Sequence, residues 1–300
     1  MAEKLRIGLI FGGRSGEHEV SLLSARSVRS VLDPELYQVT EIGVTADGMW
    51  LGGAQVLEAF EKKQFEALSP VILLPEPQNA MLYHLTKSPL GDVLEPFAHL
   101  DVIFPLIHGT FGEDGTLQGL LELADVAYVG CGVLASAVGM DKALFKEVMR
   151  ANRLPVVDSL IFSRIRLESE MGDVVSQIET TLHYPVFVKP ANLGSSVGIS
   201  KCSNSSELVE GLLEAAQYDR RILVEQGINA REIEVSVLGN ENPQVSVIGE
   251  VVPGDEFYTY AAKYLKENSR LEIPAKVDAA MTSEIQESAI KAYRLVDCAG

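Results

Sequence analysis

Residues Lys4–Phe11 form a β-rich apolar run that stops at Gly12-Gly13, and beyond the loop Leu22, Ala25, Val28 and Leu32 recur at helical spacing. A strand that breaks at glycines and re-enters as a helix is a βα unit. Such a unit narrows the fold sharply, because strands joined through helices lie parallel in one sheet. Tyr37–Val44 reads as the next strand and Val102–Ile107 as another, followed by a glycine-rich loop and the helix Thr116–Leu123. The strand ends of a parallel sheet commonly form its binding edge. Residues 52–98 carry several prolines and weak periodicity, and their detail stays open.

After Val126–Val129 the texture changes. Ala135–Arg150 reads as one helix, with Ala137, Met140, Leu144 and Val148 on one face. From Tyr184 onward hairpins dominate: Val186–Lys189, a glycine-rich turn, then Val197–Lys201. A helix carrying Leu208, Leu212 and Ala215 follows, with Asn204 and Glu207 spaced as a capping box. Arg221–Glu225 is a strand, and Glu232–Leu238 alternates strictly, Ile233, Val235 and Val237 opposing Glu232, Glu234 and Ser236. The turn 239–243 leads to Gln244–Val251, and a last helix carries Ile285, Ala289, Tyr293 and Val296. The expected class is α/β followed by α+β. A Rossmann-like parallel-sheet domain over 1–125 precedes two smaller lobes, 126–218 and 219–300. Three hundred residues suit two or three such subdomains.

Charge bounds the partners. With 25 basic and 42 acidic residues the chain carries −17, which argues against nucleic acid and anionic membranes but leaves room for a local basic pocket. No stretch approaches the roughly 18 apolar residues of a membrane span. The amino-terminal apolar run is too short for a signal peptide. Cys131, Cys202 and Cys298 are odd in number and lack zinc-ligand spacing, so they read as reduced thiols and the expected location is cytoplasmic.

Four constellations carry candidate chemistry. Gly12-Gly13-Arg14-Ser15-Gly16-Glu17-His18-Glu19-Val20-Ser21 is a glycine-rich turn whose acids suit a ligand amine better than a phosphate. By itself it reads more simply as a tight turn with a solvated helix start. The segment Phe104–Thr116 places His108, Glu113 and Asp114 on a loop after a strand. His108 suits a carboxylate or a proton relay, and a lone histidine is more often structural. The strongest is Val188–Ile199. Lys189 enters a run of small residues, Gly194 and Ser196 among them, that can fold over a triphosphate between two strands. The Walker pattern is absent, so this is a different phosphate grip. Last, Val224-Glu225-Gln226-Gly227-Ile228 can present backbone to an adenine edge, with Glu232 free for ribose hydroxyls; alone, each acid reads as a solvated strand residue. Met140-Asp141-Lys142 and the aromatic segment 256–264 complete the set, the latter shaped like a closing loop.

Taken together, these motifs resemble the D-alanine–D-alanine ligase family, of the ATP-grasp type. His18-Glu19-Val20-Ser21, His108–Gly115, Met140-Asp141-Lys142, Lys189–Gly198 and Tyr260–Tyr264 occur in the family's order along the whole chain. The resemblance implies a two-lobed ATP-grasp region after the amino-terminal domain. It also implies ATP-dependent joining of two D-alanines through an acyl phosphate, supplying peptidoglycan precursors. By matching position, Glu17 holds the first D-alanine's amino group and forms a triad with Ser195 and Tyr264, and His108 lies near the same substrate. Lys142, Lys189 and Lys263 meet ATP phosphates, Glu225 meets adenine and Glu232 ribose, and Gly194, Ser196, Ile228 and Phe257 are further ATP-binding residues. Tyr264 favours the dipeptide over the D-lactate depsipeptide, the nearest alternative product. A homodimer and two Mg2+ or Mn2+ ions are further implications. The family's metal-binding Glu-x-Asn segment has no match, so the ligands are expected beyond Gly300 of a longer enzyme. A nucleotide-binding protein without catalysis, and an ATP-grasp enzyme acting on another substrate, are the rival readings.

Overall fold

The amino-terminal apolar run is strand β1 (Leu5–Gly12) in the computed structural model, which describes residues 3–89, 91–194, 196–252 and 270–300. Leu9 and Phe11 pack against Leu22 and Ala25 of helix α1 (His18–Val31) and Val56, Leu57 and Phe60 of α2 (Val56–Lys62). Ile10 faces the other way, toward Leu117 and Leu121 of α3 (Thr116–Leu123). Successive side chains of a strand leave on opposite faces, so a strand between two covered faces is apolar at every position. Its start is fixed by Asp101, which accepts from the backbone and guanidinium of Arg6 at 2.8 and 2.9 Å. Those bonds hold the Asp101 carboxyl down to about 2.

Strands β2 (Tyr37–Val44) and β7 (Val102–Pro105) flank β1 in parallel, and β8 (Ala127–Tyr128) runs parallel to β7. The sheet is nevertheless mixed. Residues 52–98, together with Trp50, Leu51 and His99, supply β3 (Trp50–Gly52), α2, β4 (Ser69–Leu73), β5 (Met81–Ser88) and β6 (Gly91–His99). These strands pair antiparallel outward from β2 to give the order β6-β5-β4-β3-β2-β1-β7-β8. The edge position explains the weak pattern of β6, which is largely exposed and accommodates Pro96, as an edge strand can.

The chain divides into two compact units, Met1–Ala137 and Val138–Gly300. In the second, β9 (Ser159–Ser163), β10 (Val186–Pro190), β11 (Ser200–Cys202) and β12 (Arg221–Gln226) form an antiparallel sheet in the order β11-β10-β12-β9. One face carries Val186, Val188, Ile222 and Val224 against α6 (Arg164–Thr181) and α7 (Ser205–Tyr218). The α7 cap follows the expected spacing, with Asn204 Oδ1 accepting from Glu207 N at 3.1 Å.

Several expected elements are interrupted. The helix over Ala135–Arg150 is two, α4 (Val133–Met140) and α5 (Lys142–Ala151), because Asp141 takes extended backbone and caps α5 by accepting from Leu144 N at 2.9 Å. The strand over Val197–Lys201 starts only at Ser200, because Ser196 and Gly198 adopt positive φ of 58° and 67°. Glu232–Leu238 divides into β13 (Glu232–Glu234) and β14 (Val237–Leu238). β13 pairs with β16 (Gly249–Val252) and β14 with β15 (Gln244–Val245), so the chain changes partners at Val235-Ser236. β17 (Arg270–Glu272) completes the sheet of β13 and β16, and α8 (Ala279–Leu295) forms the last helix. Among the described residues no helix is long and apolar enough to cross a membrane.

Candidate functional site

In the first unit the site grows from two loops at neighbouring strand ends. Gly12 and Gly13 turn the chain at φ of +89° and +103°, and Gly13 N donates to Val44 O at 2.7 Å. A Cβ at Gly12 would lie 2.3 Å from that same carbonyl, so the turn requires glycine. Ser21, fully buried on α1, accepts from Gly12 N at 2.7 Å and donates to Leu106 O. Ser15 Oγ donates to His108 O at 2.7 Å and accepts from Glu17 N at 3.1 Å. The loop after β1 is thus bonded to the loop after β7, which fixes Glu17 beside His108.

The electrostatics of this pair are directed. Glu17 is 9% exposed, and its carboxylate lies against Gly109: a Cβ there would stand 2.5 Å from Glu17 Oε2. His108 meets Ser24 Oγ through Nε2 at 2.8 Å and has Nδ1 3.6 Å from Glu113 Oε1. The other Glu113 oxygen accepts from Gly109 N at 2.8 Å. Glu113, facing the ring at 3.6 Å, raises the His108 pKa against the opposing effect of burial, and the charge of Glu17 adds to the rise. An acid beside a histidine biased toward its charged form matches the two ends of an amino-acid zwitterion.

The second unit gathers lysines around one buried acid. The register Phe187↔Glu225 and Val188↔Val224 turns Val188 and Val224 to the helices and Lys189 and Glu225 to the opposite face. Glu225 Oε2 is ion-paired with Lys189, and Glu225 Oε1 with Lys146 of α5 at 2.7 Å. Burial presses the Glu225 carboxyl upward, but the two ammonium groups prevail and its pKa is lowered. Lys142 donates its Nζ to Leu193 O, immediately before Gly194, and its backbone N donates to Ala191 O at 2.9 Å. Asp141 forms an isolated bridge with Asn192 and an ion pair with Arg221, which docks the start of α5 on the loop after β10.

Of the residues expected from sequence, Glu17 and His108 meet in the first unit. Lys142, Lys189, Gly194, Ser196 and Glu225 lie around β10, β12 and the loop between β10 and β11 in the second. Ile228 and Glu232 follow β12, both exposed, with no hydrogen bond to the Lys189–Glu225 group. Ser195, Phe257, Lys263 and Tyr264 lie outside the described residues. Lys146 and Arg221 were not singled out from sequence. Lys146 had a usable signal: it stands four residues after Lys142 on one helix, hence on the same side. Among the described residues, no group of three or more His, Cys, Asp or Glu side chains lies close enough together to hold a metal ion.

Residues 6–131 match the family model of the D-ala D-ala ligase N-terminus, and residues 148–300 that of the D-ala D-ala ligase C-terminus. The chain belongs to the D-alanine–D-alanine ligase family. It is 46% identical over 299 residues to a D-alanine–D-alanine ligase of Natranaerobius thermophilus, and 49% over 297 to one of Heliobacterium modesticaldum. Each match covers 99% of this chain and 80% of the relative. Among solved structures, the VanG D-Ala:D-Ser ligase of Enterococcus faecalis superposes with a TM-score of 0.84 at 32% identity, covering 99% of this chain and 84% of that one. The D-alanine–D-alanine ligase of Coxiella burnetii gives 0.81 at 32%, covering 100% and 79%. The ATP-grasp architecture expected from sequence is therefore the fold of this family, with a mixed rather than wholly parallel amino-terminal sheet.

Proposed function

We propose that this chain joins two D-alanines into D-alanyl-D-alanine while ATP is cleaved to ADP and phosphate. The observation that carries the reading is the likeness over 99% of the chain to relatives named for that activity. The first D-alanine's carboxylate attacks the γ-phosphate to form an acyl phosphate, and the second D-alanine's amine displaces phosphate from it. Positioning and charge neutralisation dominate such chemistry. Glu17 takes the first substrate's ammonium and His108 its carboxylate. Lys142 and Lys189 face the phosphates beside Gly194 and Ser196, Glu225 and Ile228 the adenine, and Glu232 the ribose. Ser195, Phe257, Lys263 and Tyr264 keep the roles that their matching positions imply. The lobes follow the division 1–125, 126–218 and 219–300, with β12 carried into the second lobe by its pairing with β10. ATP with Mg2+ or Mn2+, a homodimer and a cytoplasmic location complete the reading. Among the described residues no group of three or more His, Cys, Asp or Glu side chains is placed to hold the divalent ions.

The test is phosphate release from ATP and Mg2+ with D-alanine present or withheld, and chromatographic identification of the product. D-Alanine-dependent release with dipeptide formation is expected. Release that is the same without D-alanine, or faster with D-serine or D-lactate as second substrate, overturns the assignment.

A pH effect follows from the His108–Glu113 contact. With the His108 pKa raised above 6.5, its charged form persists to higher pH, so KM for the first D-alanine is expected to rise only as pH passes that shifted value. Glu113→Gln removes the leading cause, and the rise in KM is expected to begin at lower pH. Profiles of KM against pH for the two proteins check this; coincident profiles contradict it.

A further inference from the structure

Glu225 holds two cations where one would neutralise it. Its two oxygens bind different lysines, and both come from elements around the glycine-rich loop. Lys189 sits at the end of β10, where the chain enters that loop. Lys146 is more enclosed, with 14% of its side chain exposed against 22% for Lys189. Its other contact is Val157 O at 3.3 Å. One lysine therefore stands at the mouth of the loop and the other is anchored between Glu225 and Val157 O.

We propose that Lys146 is a positioning residue, which keeps a counter-ion on Glu225 so that Lys189 can turn to a nucleotide's phosphates. The proposal rests on the reading above of Lys189 and Glu225 as nucleotide-binding residues. The physical reason is the cost of stranding a charge. A buried carboxylate that loses its one partner is strongly destabilised, which would bind Lys189 to Glu225 and withhold it from phosphate. With Lys146 in place, the departure of Lys189 leaves a neutral ion pair behind. The arrangement along α5 agrees: Lys142 reaches Leu193 O at the loop, and Lys146, one turn on, reaches the carboxylate.

The test compares dissociation constants of ATP and of adenosine, by calorimetry or competition, for the full chain and its Lys146→Met, Lys146→Arg, Glu225→Gln and doubly substituted forms. Lys146→Met is expected to weaken ATP binding about tenfold while adenosine changes little, because only the phosphates need Lys189 released. Lys146→Arg restores ATP binding. In the Glu225→Gln background the Lys146→Met change is expected to cost nothing further, since glutamine needs no counter-ion. Equal losses for ATP and adenosine, or the same loss with and without Glu225→Gln, would make Lys146 merely structural and overturn the proposal. Should Lys146→Met fail to fold by thermal melt, Lys146→Gln takes its place in the cycle. Absence of ATP binding by the unsubstituted protein is a separate result, which removes the nucleotide reading itself.

Discussion

Asp141→Ala is expected to destabilise the unit Val138–Gly300 by about 3 kcal/mol, among the larger effects of any single substitution on its fold. The residue does three things at once. Its carboxylate caps α5 through Leu144 N at 2.9 Å, it pairs with Arg221, and its backbone bridges to Asn192. Loss of a cap costs about 1 kcal/mol. Loss of one partner of a fully buried ion pair costs roughly 3–5 kcal/mol. Here the Asp141 side chain is 8% exposed but Arg221 is 31% exposed. Water therefore relieves part of the stranded charge, and the sum falls below that of a fully buried pair. Asp141→Asn keeps the cap and loses the charge, so about half of the effect is expected. Hydrogen exchange at the amides of α5 and β12 reads the local stability of both elements. If asparagine proves as damaging as alanine, the cap contributes little. If neither substitution changes exchange, the joint is not holding α5 in place.

The same residue shows where sequence reasoning stops. The apolar spacing Ala137, Met140, Leu144, Val148 continues through Asp141 without a break, so a periodicity argument sees one helix. The break is set by partners distant in sequence, Asn192 and Arg221, and only the assembled sheet brings them near. β1 and α3 were legible for the opposite reason: a strand covered on both faces and a short helix leave their pattern in local sequence alone. Within 52–98, β6 lies at the sheet edge and is largely exposed, so it leaves almost no alternation to read. The site divides in the same way. The glycine-flanked acids and Lys189 stand in compact motifs, and a family resemblance could be read from them. The Lys146–Glu225–Lys189 group depends on the register between β10 and β12 and on the reach of α5, which no single motif records.

Gly109→Ala is expected to raise KM for D-alanine by roughly 10- to 100-fold while leaving ATP binding near its original value. Gly109 has φ of +72°, in the left-handed region, where a β-carbon costs about 1–2 kcal/mol. That cost alone would lower stability modestly. The functional effect comes from what occupies the space: the new methyl would stand 2.5 Å from Glu17 Oε2, and the carboxylate must move. Glu17 is the group read as holding the substrate ammonium, and a misplaced charged hydrogen bond is worth about 1.5–3 kcal/mol. The Gly109 amide, which donates to Glu113, is retained by alanine, so the effect is directed at Glu17. Lys142, Lys189 and Glu225 belong to the other unit, which is why nucleotide affinity should hold. Gly119→Ala is the control: it lies within α3 with no atom within 4 Å of the added carbon, so it should be neutral or slightly stabilising. Steady-state kinetics with each substrate varied in turn separate the two constants. A Gly109→Ala protein that folds normally and keeps its KM for D-alanine would remove Glu17 from the substrate's ammonium.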